Sequence, residues 1–172
     1  EYFDEGALRL IRASASSTGL LLPPSPPYWR CALYAEWALA DGADHTPGAL
    51  MARLLDACGS RADDTWIAAD APALEKMKVF RHAVPEQVNA IIAARKARHP
   101  ELTKLGTDLS VPDNRLKDVM ALYRRDLLQA ELEHVVFGHI GNNHVHVNIL
   151  PRDMRDYAAG KALYRSWAEQ VV

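Results

Sequence analysis

The chain has 172 residues, of which 49% are hydrophobic and 24% are charged, and this predicts one globular domain with a core of its own. Its formal net charge is −2 and no long run of Lys or Arg occurs, so we expect neither a nucleic-acid partner nor an anionic membrane surface. No stretch reaches the roughly 18 apolar residues of a transmembrane segment.

The N-terminal part predicts a helix, a loop and a strand. Leu8 and Ile11 follow helical spacing, and acidic residues at the start favour a helix over residues 4–13. Four prolines with Ser and Gly predict a loop over residues 14–27. Alternating apolar residues then predict a strand over residues 31–39, and one face of it would carry Leu33, Ala35, Trp37 and Leu39.

The middle of the chain is mainly helical by pattern. Thr46 and Pro47 predict the start of a helix that continues to about residue 57, and Gly59 would end it. Residues 65–68 predict a short strand. Pro85 predicts a break between helices over residues 72–82 and 85–98, because proline lacks an amide N–H and disfavours the helical conformation of the residue before it.

The C-terminal part predicts strands on either side of an amphipathic helix. Residues 109–111 predict a strand, and Asp113 would cap a helix whose apolar positions are Leu116, Val119, Met120, Tyr123, Leu127 and Ala130. Two strands, over residues 134–140 and 144–150, would be joined by Gly141-Asn142-Asn143. A helix over residues 157–170 closes the pattern.

This order of elements predicts an α+β domain spanning residues 1–172, with helices on one side of a mainly antiparallel sheet and a ferredoxin-like topology. Cys31 and Cys58 form no close motif, so we expect reduced core residues of a cytoplasmic protein. The chain begins with Glu1 and not Met, and its last residues continue a helical pattern. We therefore expect a piece cut from a longer protein.

Four of the seven histidines lie between positions 134 and 146. With Asn142 and Asn143 as the turn, His139 pairs with His146, and paired residues share one face with Cβ atoms about 4.5–5.5 Å apart. Two imidazoles at that separation can bind one metal ion. Strand alternation adds His144 and Asn148 to the same face. The alternative is a solvated sheet face without chemistry.

A different enzyme class is suggested by the same strand. Residues 144–147 (HVHV) resemble the beginning of the histidine-triad motif of nucleotide hydrolases and transferases. That chemistry needs a third alternating histidine as nucleophile, and Asn148 occupies the position. An amide is a poor nucleophile towards phosphorus, so this is the weaker alternative.

Three further segments accompany the hairpin: residues 79–86 (VFRHAVPE), 106–112 (GTDLSVP) and 148–151 (NILP). In this order they resemble the C-terminal domain of FAD-linked oxidases, a family that includes D-lactate and D-2-hydroxyglutarate dehydrogenases and the FAD subunit of glycolate oxidase. The most specific part is residues 138–148 (GHIGNNHVHVN), which are similar to the family's hairpin GHxGDGNxHxN. The resemblance covers nearly the whole chain.

The resemblance implies roles for four residues. His139 and His146 match two histidines that bind a divalent metal, zinc in several members. Asn148 matches an asparagine that contacts the substrate, and Arg81 matches the arginine that binds the substrate carboxylate. A planar guanidinium suits this role because it donates two parallel hydrogen bonds to a carboxylate. The alternative for Arg81 is an ordinary surface arginine on a helix.

The chain departs from the family pattern in three ways. Asn142 and Asn143 replace the Asp-Gly of the family's turn, and Gly106 replaces a lysine that many relatives carry. A Glu-His-Gly-Ile-Gly segment, which supplies the third metal ligand and a histidine for proton removal, is expected after residue 172. The resemblance also places FAD in an N-terminal domain that this sequence does not include.

The resemblance therefore implies the substrate-side domain of an FAD-dependent enzyme. Such an enzyme oxidises a D-2-hydroxy acid, of the D-lactate, glycolate or D-2-hydroxyglutarate class, to the 2-oxo acid. We expect no catalytic residue within this fragment and no activity without its FAD-binding domain. The alternative is a free-standing α+β module that binds a metal or a small anion.

Overall fold

The computed structural model describes residues 1–18, 25–37 and 47–171. The strands are β1 (Tyr2–Asp4), β2 (Cys31–Leu33), β3 (Leu105–Gly106), β4 (His134–His139) and β5 (His144–Ile149). The helices are α1 (Glu5–Thr18), α2 (Pro47–Cys58), α3 (Ala71–Lys96), α4 (Leu116–Ala130) and α5 (Met154–Val171). Short 3₁₀ turns occur at Ala62–Asp64, Asp113–Arg115 and Ile140–Asn142.

The strands form one sheet in the order β2-β1-β4-β5-β3, and every neighbouring pair is antiparallel. This confirms the predicted α+β class with a mainly antiparallel sheet. The long strands β4 and β5 lie at the centre, so the histidine hairpin is part of the sheet's interior and not of an edge.

Helices cover both faces of this sheet. Val135 packs in a core with α1 and α3, whereas its neighbour Val136 packs in a second core with α4 and α5. Successive residues of a strand point to opposite faces, so two adjacent buried valines require a layer on each side. The helices are therefore divided between the faces, which differs from the expected one-sided packing.

The N-terminal elements differ from their predictions. Asp4 ends strand β1, and its carboxylate accepts a hydrogen bond from the backbone N–H of Ala7, which starts helix α1. A strand of three residues is too short to show an alternation of apolar and polar residues, so the sequence pattern did not predict it. Helix α1 also continues to Thr18, so the loop predicted from residue 14 was wrong over that range.

Strand β2 is shorter than predicted, and the face that packs against the core is the opposite of the predicted one. Ala32 packs against the core, whereas Leu33 is 56% exposed and Trp37 is exposed as well, because β2 is an edge strand of only three residues. Leu39 lies outside the described residues. The two cysteines are free but exposed, so their placement in the core was wrong.

The middle of the chain contains two more corrections. Helix α2 ends at Cys58, and Gly59 with φ 62° follows, as predicted, whereas Thr46 lies outside the described residues. No strand forms at residues 65–68, which follow a 3₁₀ turn. Helix α3 is continuous through Pro85, because the burial of Val84 and Val88 outweighs the roughly 3 kcal/mol that an interior proline costs.

The C-terminal half is closer to its prediction. Val119, Tyr123 and Leu127 form the buried face of α4, although the helix begins at Leu116, after a 3₁₀ turn at Asp113–Arg115. Residues 109–111 form no strand. The adjacent strand is β3, and Ser110 contributes only an isolated bridge to His144. None of the described helices is both long and apolar enough to cross a bilayer.

Candidate functional site

The hairpin of β4 and β5 differs from the expected register by two residues. His139 pairs with His144, and His146 pairs with Phe137. The connection is longer than a two-residue turn: a 3₁₀ turn is followed by Asn143 in the left-handed region, with φ 55°. A shift of two residues is one full period of strand alternation, so His139 and His146 remain on one face, with ring centroids 6.1 Å apart.

His144 and His146 form a compact group with Asp108. The two imidazole centroids are 4.4 Å apart. Oδ1 of Asp108 lies 2.8 Å from Nε2 of His144 and 3.8 Å from Nδ1 of His146. One potential ligand atom from each of the three residues lies within 4.8 Å of the other two. Two imidazoles and a carboxylate are a donor set that suits zinc and similar divalent ions, so these residues fit the implied metal.

The orientation of His146 is fixed by the segment that carries Asp108. Nδ1 of His146 is 2.8 Å from the backbone oxygen of Thr107. A carbonyl only accepts, so Nδ1 carries a proton and the neutral ring presents the lone pair of Nε2. Thr107 is itself buried, and its hydroxyl accepts a 2.8 Å hydrogen bond from the backbone N–H of Val147.

Gly138 provides the space that His146 occupies. A Cβ at this position would lie 2.8 Å from Cδ2 of His146 and 2.9 Å from the backbone oxygen of His144. The φ of Gly138 is +142°, a conformation that L side chains rarely adopt. Both the backbone and the close approach of the imidazole therefore require glycine here.

His139 and Arg81 meet at the carboxylate of Glu1. Oε1 of Glu1 lies 2.6 Å from both Nε and Nη2 of Arg81 and 3.3 Å from Nδ1 of His139. The hydrogen bonds from Arg81 to this carboxylate raise the pKa of the guanidinium above its ordinary value. The structure thus brings two predicted site residues together around one carboxylate.

Asn148 lies farther along the same face of β5. It is 4% exposed and pairs across the sheet with Gly106 of β3. A Cβ at Gly106 would lie 3.0 Å from Oδ1 of Asn148, so the glycine leaves room for the carboxamide. Within the described residues, no hydrogen bond joins the side chains of Asn148 and Arg81.

From the sequence, His144 was predicted to lie on the same strand face as His146 but not to be a metal ligand. Asp108 was not predicted as a site residue. His144 was visible from strand alternation, whereas its distance from His146 depended on the hairpin register. Asp108 reaches the hairpin because Thr107 donates its backbone N–H to the oxygen of Val147 at 2.9 Å. Such a long-range pairing leaves no local signal in the sequence.

The comparisons with known proteins give one finding about the whole chain. A family model described as "FAD linked oxidases, C-terminal domain" matches residues 1–172. The match includes helix α3 with Arg81, the segment with Asp108, and the histidine hairpin. No curated protein gives a significant match to the chain.

Proposed function

The chain belongs to the family of FAD linked oxidases, C-terminal domain, and on this basis we propose that it is the substrate-side domain of an enzyme that oxidises a D-2-hydroxy acid. Membership of the family supports an oxidoreductase parent that uses FAD. The proposal adds the substrate class, which comprises D-lactate, glycolate and D-2-hydroxyglutarate, and the product, a 2-oxo acid.

The observation that carries the proposal is the carboxylate between Arg81 and His139. Oε1 of Glu1 lies 2.6 Å from two guanidinium nitrogens of Arg81 and 3.3 Å from Nδ1 of His139. A substrate carboxylate needs the same donors, and Arg81 offers them with its side chain 37% exposed. In the proposal, the substrate carboxylate takes the position of Glu1 on Arg81.

The remaining site residues orient and polarise the substrate. His139 and His146 are the proposed metal ligands, and Asn148 is a proposed substrate contact. A divalent ion supplies Lewis-acid polarisation of the substrate hydroxyl when it is bound. FAD, when bound by the other domain, would supply the redox chemistry, so this domain would contribute binding and electrostatics and no redox group.

In the proposal, FAD is bound mainly by another domain of the parent protein. The sequence has no Gly-x-Gly-x-x-Gly motif that would cradle a dinucleotide. We therefore propose that residues 1–172 form one domain of a longer flavoprotein and are inactive alone. A cytoplasmic location is also proposed, because Cys31 and Cys58 are free thiols.

A second candidate is a free-standing module that binds a metal or a small anion. The group of Asp108, His144 and His146 favours it, because this chain alone supplies all three residues. The length of the natural protein discriminates, since a flavoenzyme of two domains has about 450–500 residues. The histidine-triad alternative has no further support, because Asn148 at the nucleophile position is an amide.

The test measures flavin reduction in the full-length parent protein with a panel of D-2-hydroxy acids and their L enantiomers. Arg81→Lys should raise KM about tenfold or more, because an ammonium cannot donate the planar pair of hydrogen bonds. Arg165→Lys, at an exposed position of α5, is the matched control and should leave KM unchanged. The proposal fails if no D-2-hydroxy acid reduces the flavin, or if both variants behave alike.

A further inference from the structure

We propose that Glu36 makes the site select 2-hydroxy acids with one carboxylate over 2-hydroxy acids with two. The inference rests on the proposed function, because it takes Arg81 as the residue that binds the substrate carboxylate. It narrows the substrate class to acids such as D-lactate and glycolate. Glu36 acts as a specificity determinant, since its negative charge repels a second carboxylate of the substrate and takes no part in the reaction itself.

Tyr34 holds Glu36 in the neighbourhood of Arg81. The backbone N–H of Tyr34 donates to the backbone oxygen of Glu1 at 2.8 Å, and Arg81 binds the carboxylate of Glu1 at 2.6 Å. The phenol of Tyr34 donates to Oε2 of Glu36 at 3.1 Å. Burial and this hydrogen bond raise the pKa of Tyr34, so the phenol remains a protonated donor near neutral pH. A continuous set of hydrogen bonds therefore connects Glu36 to the guanidinium.

The charge balance around Arg81 allows for one further carboxylate. The hydrogen bonds and the charge of Glu1, and then the charge of Glu36, raise the pKa of the Arg81 guanidinium above its ordinary value. When a substrate carboxylate takes the position of Glu1, it neutralises the single positive charge of Arg81. The displaced carboxylate stays nearby, because the backbone of Glu1 is paired with Tyr34. A second substrate carboxylate would then meet two like charges.

The basic side chains beside Arg81 already have acidic partners. Lys78 precedes Arg81 by one turn of α3, and its Nζ lies 3.7 Å from Oε2 of Glu75. Residues three or four positions apart on a helix are neighbours, so this pair is formed within α3 itself. On the side of the sheet, Nδ1 of His139 lies 3.3 Å from the carboxylate of Glu1. A second substrate carboxylate would therefore have to compete for these groups.

The exposure of Glu36 sets the size of the effect. Glu36 is exposed and the side chain of Arg81 is 37% exposed, so water and salt screen the repulsion. Like charges a few ångströms apart in such surroundings change a binding constant by about three- to tenfold. An unfavourable charge that acts on only one of two competing substrates is sufficient for selectivity. The preference should also weaken as the ionic strength rises.

The test uses the full-length parent protein and acids of equal chain length. Flavin reduction is measured with D-2-hydroxypentanoate and D-2-hydroxyglutarate, and calorimetry measures the binding of the corresponding 2-oxo acids. We expect the acid with one carboxylate to have the lower KM and the lower Kd. Glu36→Gln should reduce this preference about three- to tenfold with little change in kcat. Glu36→Asp keeps the charge and should retain most of the preference.

Glu101→Gln is the matched control, because it removes a carboxylate at an exposed position beyond the C-terminal end of α3 and should leave the preference unchanged. Circular dichroism establishes that each variant is folded. The inference is overturned if neither 2-oxo acid binds, if the unmodified protein prefers the acid with two carboxylates, or if Glu36→Gln and Glu101→Gln behave alike. If the 2-oxo acids show the expected preference but neither hydroxy acid reduces the flavin, the proposed function fails and the selection by charge stands.

Discussion

Asp108 lies 2.8 Å from His144, although 36 positions separate the two residues in the chain. They meet because the segment that starts at Thr107 runs beside β5, where Ser110 also bridges to His144. The carboxylate accepts a hydrogen bond from Nε2 of the imidazole. A side chain from outside the hairpin therefore completes the polar group on the hairpin's face.

The first prediction concerns the glycine beneath His146. Gly138→Ala should lower the free energy of unfolding by about 1–3 kcal/mol, because its positive φ is strained for alanine. The added Cβ would also press on the His146 ring at 2.8 Å. Urea denaturation measures the change.

Gly141 offers a matched control in the same hairpin. A Cβ there meets no atom within 4 Å, so Gly141→Ala should change stability by less than about 0.5 kcal/mol. Equal effects of the two substitutions would contradict the role assigned to Gly138.

The sequence predicts the two strands of the hairpin well, because the alternation that indicates a strand lies within a few neighbouring residues. Alternation along β5 places His144 and His146 on one face, and the structure agrees. The register was wrong because it depends on the conformation of the turn. Two asparagines fit a two-residue turn, but the chain forms a 3₁₀ turn and uses the left-handed conformation only at Asn143.

The other errors arise where tertiary packing overrides local preference. Pro85 signals a helix break, but buried neighbours on both sides keep α3 continuous. Strand β1 has only three residues, and its pairing with β4 and β2 defines it as a strand. The position of Asp108 depends on a contact between distant segments, which a single sequence does not encode in any local pattern.

The second prediction concerns pH. Asp156 accepts hydrogen bonds from the guanidinium of Arg152 at 2.5 and 3.2 Å, and these hold the pKa of its carboxyl below the ordinary value of 3.8. A lowered pKa stabilises the fold above the ordinary pKa, and this contribution is lost as the pH falls through the folded-state pKa. Asp156→Asn should therefore cost about 1–2 kcal/mol near neutral pH and progressively less as the pH falls below 3.8.

The measurement is the free energy of unfolding in urea at several pH values between neutral and acidic. Asp63→Asn is the control, because Asp63 forms an ion pair with Arg61 and both side chains are exposed. A difference between Asp156→Asn and the unmodified chain that stays constant down to pH 3 contradicts the assignment.

The third prediction concerns the second core. Trp167 is fully buried, and its indole N–H donates to Oδ2 of Asp126 at 2.9 Å. Trp167→Phe should cost about 2–4 kcal/mol, since it removes a hydrogen bond to a charged group and leaves a space beside Tyr123. Trp37→Phe, at an exposed position, should cost less than about 0.5 kcal/mol. Thermal unfolding of both variants measures the contrast, and similar losses would contradict it.

The last prediction tests whether Thr107, which is not itself a metal ligand, orients the imidazole of His146. Its hydroxyl accepts the backbone N–H of Val147, and its backbone oxygen orients His146. Thr107→Val keeps the shape but leaves the Val147 N–H buried without a partner, which should cost about 1–3 kcal/mol of stability. The backbone of residue 107 should also shift, so Zn²⁺ affinity should fall about tenfold although no ligand is removed. Thr107→Ser retains the acceptor and should restore both affinity and most of the stability. Urea denaturation and equilibrium dialysis on the two variants give these values. If Thr107→Val lowers stability but binds Zn²⁺ as tightly as the unmodified chain, Thr107 supports the fold alone and His146 is oriented by other contacts.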